Sequence, residues 1–126
     1  MSRQTFILIL CIYGFILGFI MLLMPEFAVS NYAGNPNNIH ETSTMRFMSV
    51  LFLGFNFTAL SIRNSADTVV VRAYLLGTAF TLLASLAIGL YYVLSDQVPF
   101  LPSNWLDIAI WVVLGVGALH FWNKEK

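Results

Sequence analysis

Few side chains in this sequence could bind a charged ligand, and they stand near the ends of apolar runs. Arg46 lies near the start of one such run, Glu26 follows an earlier one, and Asp107 lies near the start of the last. Opposite charges that lack other partners attract each other. We therefore predict a cluster of Arg46 with Glu26, which Asp107 or Glu41 could join. Such a cluster either fixes the helix register as a salt bridge or leaves Arg46 to bind an anionic ligand or lipid headgroup.

Two further polar side chains lie inside apolar runs. Asn56 is the only amide deep in such a run, and a polar group in hydrocarbon seeks a partner on a neighbouring helix. Asn56 could face Thr81 or Ser85, or it could line a pocket. Tyr91 could anchor the chain at a membrane interface or form a pocket wall. We therefore add Asn56 and Tyr91 to Arg46, Glu26 and Asp107 as candidate ligand-binding residues.

Other chemistry finds little support in the sequence. The single cysteine, Cys11, can form neither an internal disulfide nor a CxxC redox pair. His40 and His120 are expected on opposite membrane faces, whereas a zinc or iron site needs several clustered ligands. We find no catalytic triad, carboxylate pair or phosphate-binding loop. We therefore predict that the protein binds no metal and no cofactor, and the lack of catalytic residues argues against an enzyme.

The composition indicates that the solvent around this chain is lipid. Hydrophobic residues make up 59% of the 126 residues and charged residues only 10%, whereas a soluble domain carries about 25% charged residues. The net charge is zero and no basic face is present, which argues against a nucleic-acid partner.

Four apolar runs are long enough to cross a bilayer, for which about 17–25 residues suffice. In hydrocarbon the backbone must satisfy its own hydrogen bonds, so each run should be a helix. The sequence predicts a single all-α domain, an integral membrane four-helix bundle with spans at residues 6–24, 45–62, 69–94 and 105–122.

The helix ends give the charged residues different expected environments. Ser43 or Thr44 is the expected N-cap of the second helix, which places Arg46 in its first turn, where the helix dipole disfavours a cation. Glu26 follows the end of the first helix, where an acid is also disfavoured. Each residue is therefore unfavourable alone and favourable beside the other.

The fourth helix is expected to carry a favourable acid. With Asn104 as N-cap, Asp107 falls in the first turn, where the dipole favours an anion. Trp105 and Trp122 begin and end this run, as interfacial tryptophans do.

The distribution of basic residues predicts the orientation. Five of the six lie on the side that holds both termini and the loop between the second and third runs. By the positive-inside rule both termini are cytoplasmic, and the expected localisation is the cell inner (cytoplasmic) membrane, crossed several times. The loop at residues 25–44 then lies outside, either as a connector with a short interfacial helix over residues 27–32 or as a lid over an outward-facing cavity.

Small residues recur at helix-packing intervals. Close backbone approach stabilises helix pairs in membranes. We therefore expect two packing stripes, one on the first run and one on the third, formed by Gly14 and Gly18 and by Gly77, Thr81, Ser85 and Gly89.

The pattern resembles small bacterial four-helix membrane proteins of the DoxX-like group, in an uncharacterised branch. The residues that carry the resemblance are Leu22-Leu23-Met24-Pro25, Tyr32-Ala33-Gly34, Arg46, Leu53-Gly54, Arg63, Arg72 and Gly77. The resemblance implies a four-helix bundle in a bacterial inner membrane and no defined activity. Some relatives are associated with quinone-linked redox complexes, a chemistry for which we identify no residues here.

Three functions remain open at this point. The first is a non-enzymatic membrane protein that binds a lipid or small amphiphile in an outward-facing cavity near Arg46. The second is an accessory subunit that docks on a larger membrane complex, or on a second copy of itself, through its small-residue stripes. The third, which the absence of a catalytic set disfavours, is an enzyme acting on a lipophilic substrate.

Overall fold

A computed structural model of the chain describes residues 1–125, whose secondary-structure elements are all helices, without any strand. The five helices are α1 (Arg3–Leu23), α2 (Pro25–Asn31), α3 (Ile39–Ile62), α4 (Thr68–Leu94) and α5 (Pro102–Lys124). All except α2 are long and apolar enough to cross a membrane. The predictions of an all-α fold and of four helices suited to span a membrane are therefore confirmed. Contacts group the chain into two compact units, Met1–Arg63 and Asn64–Lys126.

The first unit is an antiparallel pair of long helices with a short helix packed at one end. Gly14 of α1 lies against Asn56 of α3, and Gly18, further along α1, lies against Leu53, which is earlier in α3. The opposite order of these contacts makes α1 and α3 antiparallel. Helix α2 contacts both of them, and its buried residues are Pro25, Ala28 and Val29.

Proline separates α1 from α2. Pro25 occupies the first position of α2, where its missing N–H costs nothing. The residue before a proline is disfavoured in helical geometry. Met24, the C-cap of α1, accordingly has a non-helical backbone conformation. The chain can therefore turn sharply and fold α2 back onto the pair.

The loop after α2 begins with a helix-ending motif. The amide of Gly34 donates to the carbonyl of Val29 and that of Ala33 to the carbonyl of Ser30, which is the Schellman pattern. Ala33 takes the left-handed conformation, with φ of 60°. Glycine usually occupies that position, but here the glycine comes one residue later.

Helix α3 begins six residues before the predicted start of the second span. Its N-cap is Asn38, whose Oδ1 accepts a hydrogen bond from the amide of His40 at 3.0 Å. The prediction of Ser43 or Thr44 as N-cap is therefore wrong. Hydrophobicity locates the part of a helix that lies in lipid, whereas the cap locates its true end, which here extends beyond the apolar run.

The second unit is another antiparallel pair. Gly115 of α5 lies against Leu83 of α4. Nearer the start of α4, the Arg72 guanidinium lies 5.3 Å from the centre of the Trp122 ring. The pairing of late α5 with early α4 shows the antiparallel arrangement.

Both ends of α4 are capped by side chains or turns. Asp67 is the N-cap, and its Oδ1 accepts from the amides of Val69 and Val70. At the other end, the backbone amide of Gln97 donates to the carbonyl of Tyr92, and Asp96 has a φ of 55°. This is a second Schellman ending, in which an acid replaces the usual glycine.

Helix α5 starts three residues before the predicted span. Pro102 is its first residue and Leu101 its N-cap. Asn104, predicted as the N-cap, instead lies in the first turn, and its side chain accepts from the amide of Leu101. Asp107 consequently lies in the second turn, so its predicted first-turn position is wrong.

The long helices present apolar side chains outward and satisfy their hydroxyl groups internally. Phe80 and Val113 are examples of large exposed apolar residues in the two spans of the second unit. In α3, Thr58 donates to the carbonyl of Gly54 and Ser61 to that of Phe57, one turn back in each case. Such bonds meet the requirement that polar groups in hydrocarbon find partners within the protein.

Candidate functional site

An exposed ion pair lies at the end of the first unit where α2 packs. A terminal nitrogen of Arg46 on α3 is 3.8 Å from Oε1 of Glu26 on α2, and the two side chains are 50% and 58% exposed. This separation is too long for a hydrogen bond. The pair is therefore loose, and Arg46 keeps donors that can reach another oxygen-bearing group.

The two arginines of α3 are spaced to suit the two edges of a bilayer. Arg46 is 17 residues from Arg63, which corresponds to about 26 Å along a helix. The hydrocarbon core of a bilayer is about 30 Å thick. A roughly upright α3 can therefore hold each guanidinium near one lipid headgroup region, with the first turns of α3 beyond the hydrocarbon.

The predicted electrostatic reason for pairing Arg46 with Glu26 is wrong, although the two residues do meet. Arg46 is the eighth residue of α3 and lies beyond its first turn, where the dipole effect has faded. Glu26 lies in the first turn of α2, where an acid is favourable. What brings them together is the return of the chain at Pro25 and not a mutual relief from unfavourable helix ends.

Large exposed apolar residues stand next to this ion pair in the chain. Phe27 follows Glu26 and is 58% exposed, and Phe47 follows Arg46 and is 67% exposed. Leu23 and Met24, at the end of α1, are also exposed. Charge and apolar surface thus occur together at one level of the unit, as an amphiphile at a membrane interface requires.

Glu41, the other acid at this end, holds the loop together. Its Oε2 accepts from the amide of Asn35 at 2.8 Å, and its Oε1 accepts from Nδ2 of Asn38 at 2.9 Å. A methyl group on Gly34 would lie 2.5 Å from the same carboxylate. Glu41 therefore closes the loop onto the start of α3, a role that the sequence reasoning missed. An acid three residues after an asparagine N-cap was the available signal.

Asn56 is buried between the helices of the first unit. Its Nδ2 donates to the carbonyl of Phe52 at 2.6 Å, one turn back in α3. A Cβ atom on Gly14 would collide with the Asn56 amide group. The glycine therefore makes the space that Asn56 fills, and the amide finds its partner within its own helix.

Asp107 and Tyr91 belong to the second unit. Oδ2 of Asp107 is buried and has no hydrogen-bond partner among residues 1–125. The Tyr91 ring is exposed and lies edge-on to that of Tyr92, with 5.6 Å between ring centres. Three of the five predicted site residues, Glu26, Arg46 and Asn56, thus lie in the first unit, where Arg46 pairs with Glu26. A ligand site that includes Asp107 and Tyr91 stays a prediction.

The two small-residue stripes have different surroundings. Gly14 and Gly18 lie against α3, as close packing requires. On α4, a Cβ on Gly77 or Gly89 would meet no atom within 4 Å, and Thr81 is exposed while Ser85 is partly buried. The α4 stripe is therefore not covered by α5 at Gly77 and Gly89 within the second unit.

The fold defines a class of protein: an all-helical chain with four helices suited to cross a membrane more than once. Among residues 1–125, no three His, Cys, Asp or Glu side chains gather as a metal site. Comparison with protein-family models, with curated proteins and with solved structures gives no match to this chain. The resemblance to DoxX-like proteins therefore stays a prediction.

Proposed function

We propose that this protein is a non-enzymatic membrane protein that binds a lipid or small amphiphile at the Arg46 end of its first unit. The observation that carries the proposal is the loose ion pair of Arg46 with Glu26, separated by 3.8 Å and half exposed. Exposed ion pairs contribute little stability. Arg46 therefore loses little if its guanidinium turns from Glu26 to another anionic group.

The surroundings of Arg46 favour an amphiphile over a fully soluble anion. Phe27 and Phe47 directly follow the two charged residues in the chain and expose large apolar side chains, and the spacing of Arg46 from Arg63 suits the headgroup region. Arginine binds phosphate and carboxylate groups through paired N–H donors. An anionic headgroup at Arg46 with its hydrocarbon along the unit satisfies both features.

The proposal is tested by mass spectrometry of the protein purified in mild detergent. We expect lipid or another amphiphile to co-purify with the wild type, and we expect Arg46→Gln to retain at least about threefold less, as loss of an exposed charge contact implies. Arg63→Gln removes the same charge at the other end of α3 and serves as the matched control. Equal retention by both variants would contradict a site at Arg46.

An accessory subunit is the second candidate function, and the α4 stripe that α5 leaves uncovered favours it. Gly77 and Gly89 leave room for another helix to approach closely, and that helix could belong to a larger complex or to a second copy. Gly77→Cys and Gly89→Cys variants, in a Cys11→Ser background, should form disulfide or bifunctional-maleimide cross-links in native membranes if this face docks. The matched control is Val113→Cys, on an exposed position of α5.

The orientation forms part of the proposal. The positive-inside rule supports cytoplasmic termini and an outer position for α2 and its loop, in a bacterial inner membrane. The amphiphile site then belongs to the outer leaflet.

A further inference from the structure

The charges at the Arg46 end suit a zwitterionic headgroup better than a purely anionic one. Arg46 and Glu26 come from different helices and each leaves at least half of its side chain exposed. Because the two formal charges cancel, the pair attracts no net charge over a distance. It presents instead a positive and a negative group side by side.

An anion that binds Arg46 must approach the Glu26 carboxylate, since the two side chains lie only 3.8 Å apart. A headgroup with one negative charge is therefore attracted by the guanidinium and repelled by the carboxylate. A headgroup that also carries an ammonium group turns this repulsion into attraction, because the ammonium can approach Glu26.

The other acid at this end of the first unit, Glu41, is already hydrogen-bonded and does not compete for the ammonium group. Both carboxylate oxygens of Glu41 accept hydrogen bonds from Asn35 and Asn38 in the loop. Glu26 has no such hydrogen bond at its carboxylate among residues 1–125, where its only described charge partner is Arg46. Glu26 is therefore the acid that remains for a cationic group.

We infer that the site selects a phospholipid with a phosphate and a primary ammonium in its headgroup, of the phosphoethanolamine type. The phosphate binds Arg46, the ammonium binds Glu26, and the exposed rings of Phe27 and Phe47 contact the apolar part of the lipid. The inference rests on the proposed function and specifies its ligand. A membrane lipid is the source because the charges belong to a unit whose two long helices, α1 and α3, are apolar enough to cross a membrane.

The test compares two lipids of equal acyl chains on the delipidated full-length protein. Native mass spectrometry measures the bound fraction of dioleoyl-phosphatidylethanolamine and of dioleoyl-phosphatidylglycerol in the same detergent. We expect the wild type to prefer phosphatidylethanolamine about threefold, the size of an exposed charge contact. Glu26→Gln should abolish this preference or reverse it by improving phosphatidylglycerol binding.

Control variants separate this inference from the proposed function. Arg46→Gln should weaken both lipids, whereas Arg46→Lys, which keeps the cation, should retain the preference. Asp96→Asn removes an exposed acid just after α4. Asparagine tolerates the left-handed conformation of Asp96 as well as aspartate does, so this variant should behave as wild type. Circular dichroism and size-exclusion chromatography check that each variant is folded.

Each outcome has a distinct meaning. If Arg46→Gln binds both lipids as the wild type does, the proposed site itself is refuted. If Arg46→Gln weakens both lipids and the wild type shows no preference, or Glu26→Gln leaves the preference intact, the amphiphile site stands and the zwitterion inference is overturned.

Discussion

Asn56 illustrates how a single polar residue is accommodated in a membrane helix. Its amide bonds to the carbonyl of Phe52, and its bulk fits against Gly14 because that residue lacks a side chain. The sequence draws attention to both residues, but for separate reasons: one as an unusual amide and the other as part of a GxxxG motif. Their direct contact follows only from the antiparallel register of α1 and α3.

This contact gives a prediction at the residue scale. Gly14→Ala places a methyl group on the Asn56 amide, and overpacking of this kind costs about 1–3 kcal/mol in free energy of unfolding. Gly54→Ala is the matched control, because a Cβ there meets no atom within 4 Å. SDS-induced unfolding in mixed micelles should show the loss for Gly14→Ala alone. Similar stability of the two variants would contradict the described packing of α1 on α3.

At the scale of elements, the loop between α2 and α3 is held by specific hydrogen bonds. Ala33 ends α2 in the left-handed conformation, and Glu41 accepts hydrogen bonds from the loop backbone and from Asn38. Together they set the start of α3 at Ile39. A short helix was expected over residues 27–32. The structure has it as α2, Pro25–Asn31, which begins two residues earlier and ends one residue earlier.

Two neighbouring substitutions in this loop should have opposite effects. Ala33→Gly removes a left-handed alanine and should raise the free energy of unfolding by up to about 1 kcal/mol. Gly34→Ala should lower it, because the added methyl group lies 2.5 Å from Glu41 Oε2 and 2.7 Å from a Val29 methyl group.

Hydrogen exchange of the amides of residues 33–41, combined with SDS-induced unfolding, measures both changes. The expected result is slower exchange in Ala33→Gly and faster exchange in Gly34→Ala. Destabilisation by Ala33→Gly would show that Ala33 is not left-handed in the membrane-embedded protein.

At the scale of the whole molecule, we predict that each of the four long helices crosses the membrane once, so that the chain ends on the side on which it started. The loops that hold Asn37 and Gln97 should then face one side, and the loop at Asn64 and the end of α5 at Asn123 should face the other. All four of these side chains are exposed, so each can report on its side. The charge distribution predicts that the second face is cytoplasmic.

Cysteine labelling tests this topology. In a Cys11→Ser background, a membrane-impermeant maleimide added to intact spheroplasts should label Asn37→Cys and Gln97→Cys. Asn64→Cys and Asn123→Cys should react only after permeabilisation. Labelling of the opposite pair would invert the orientation and move the Arg46 site to the inner leaflet, and labelling of one residue from each pair would contradict four crossings.

The sequence by itself determined the elements that depend on the solvent. Long apolar runs with few charges have no stable form in water, and in lipid they must be helices, so the four long helices of the fold could be predicted. Their apolar centres could be placed too. Their ends could not, because α3 begins at Asn38 and α5 at Leu101 through local capping bonds that hydrophobicity does not reveal.

Tertiary structure alone decided which residues meet. The pairing of Arg46 with Glu26 was predicted from charge, but its physical basis is the return of the chain at Pro25, which lays α2 across the ends of α1 and α3. The contact of Asn56 with Gly14 and the lack of cover by α5 at Gly77 and Gly89 depend in the same way on helix register and rotation. Register and rotation arise from packing between distant segments, and a single sequence of apolar residues leaves them undetermined, since many faces of such helices are similarly hydrophobic.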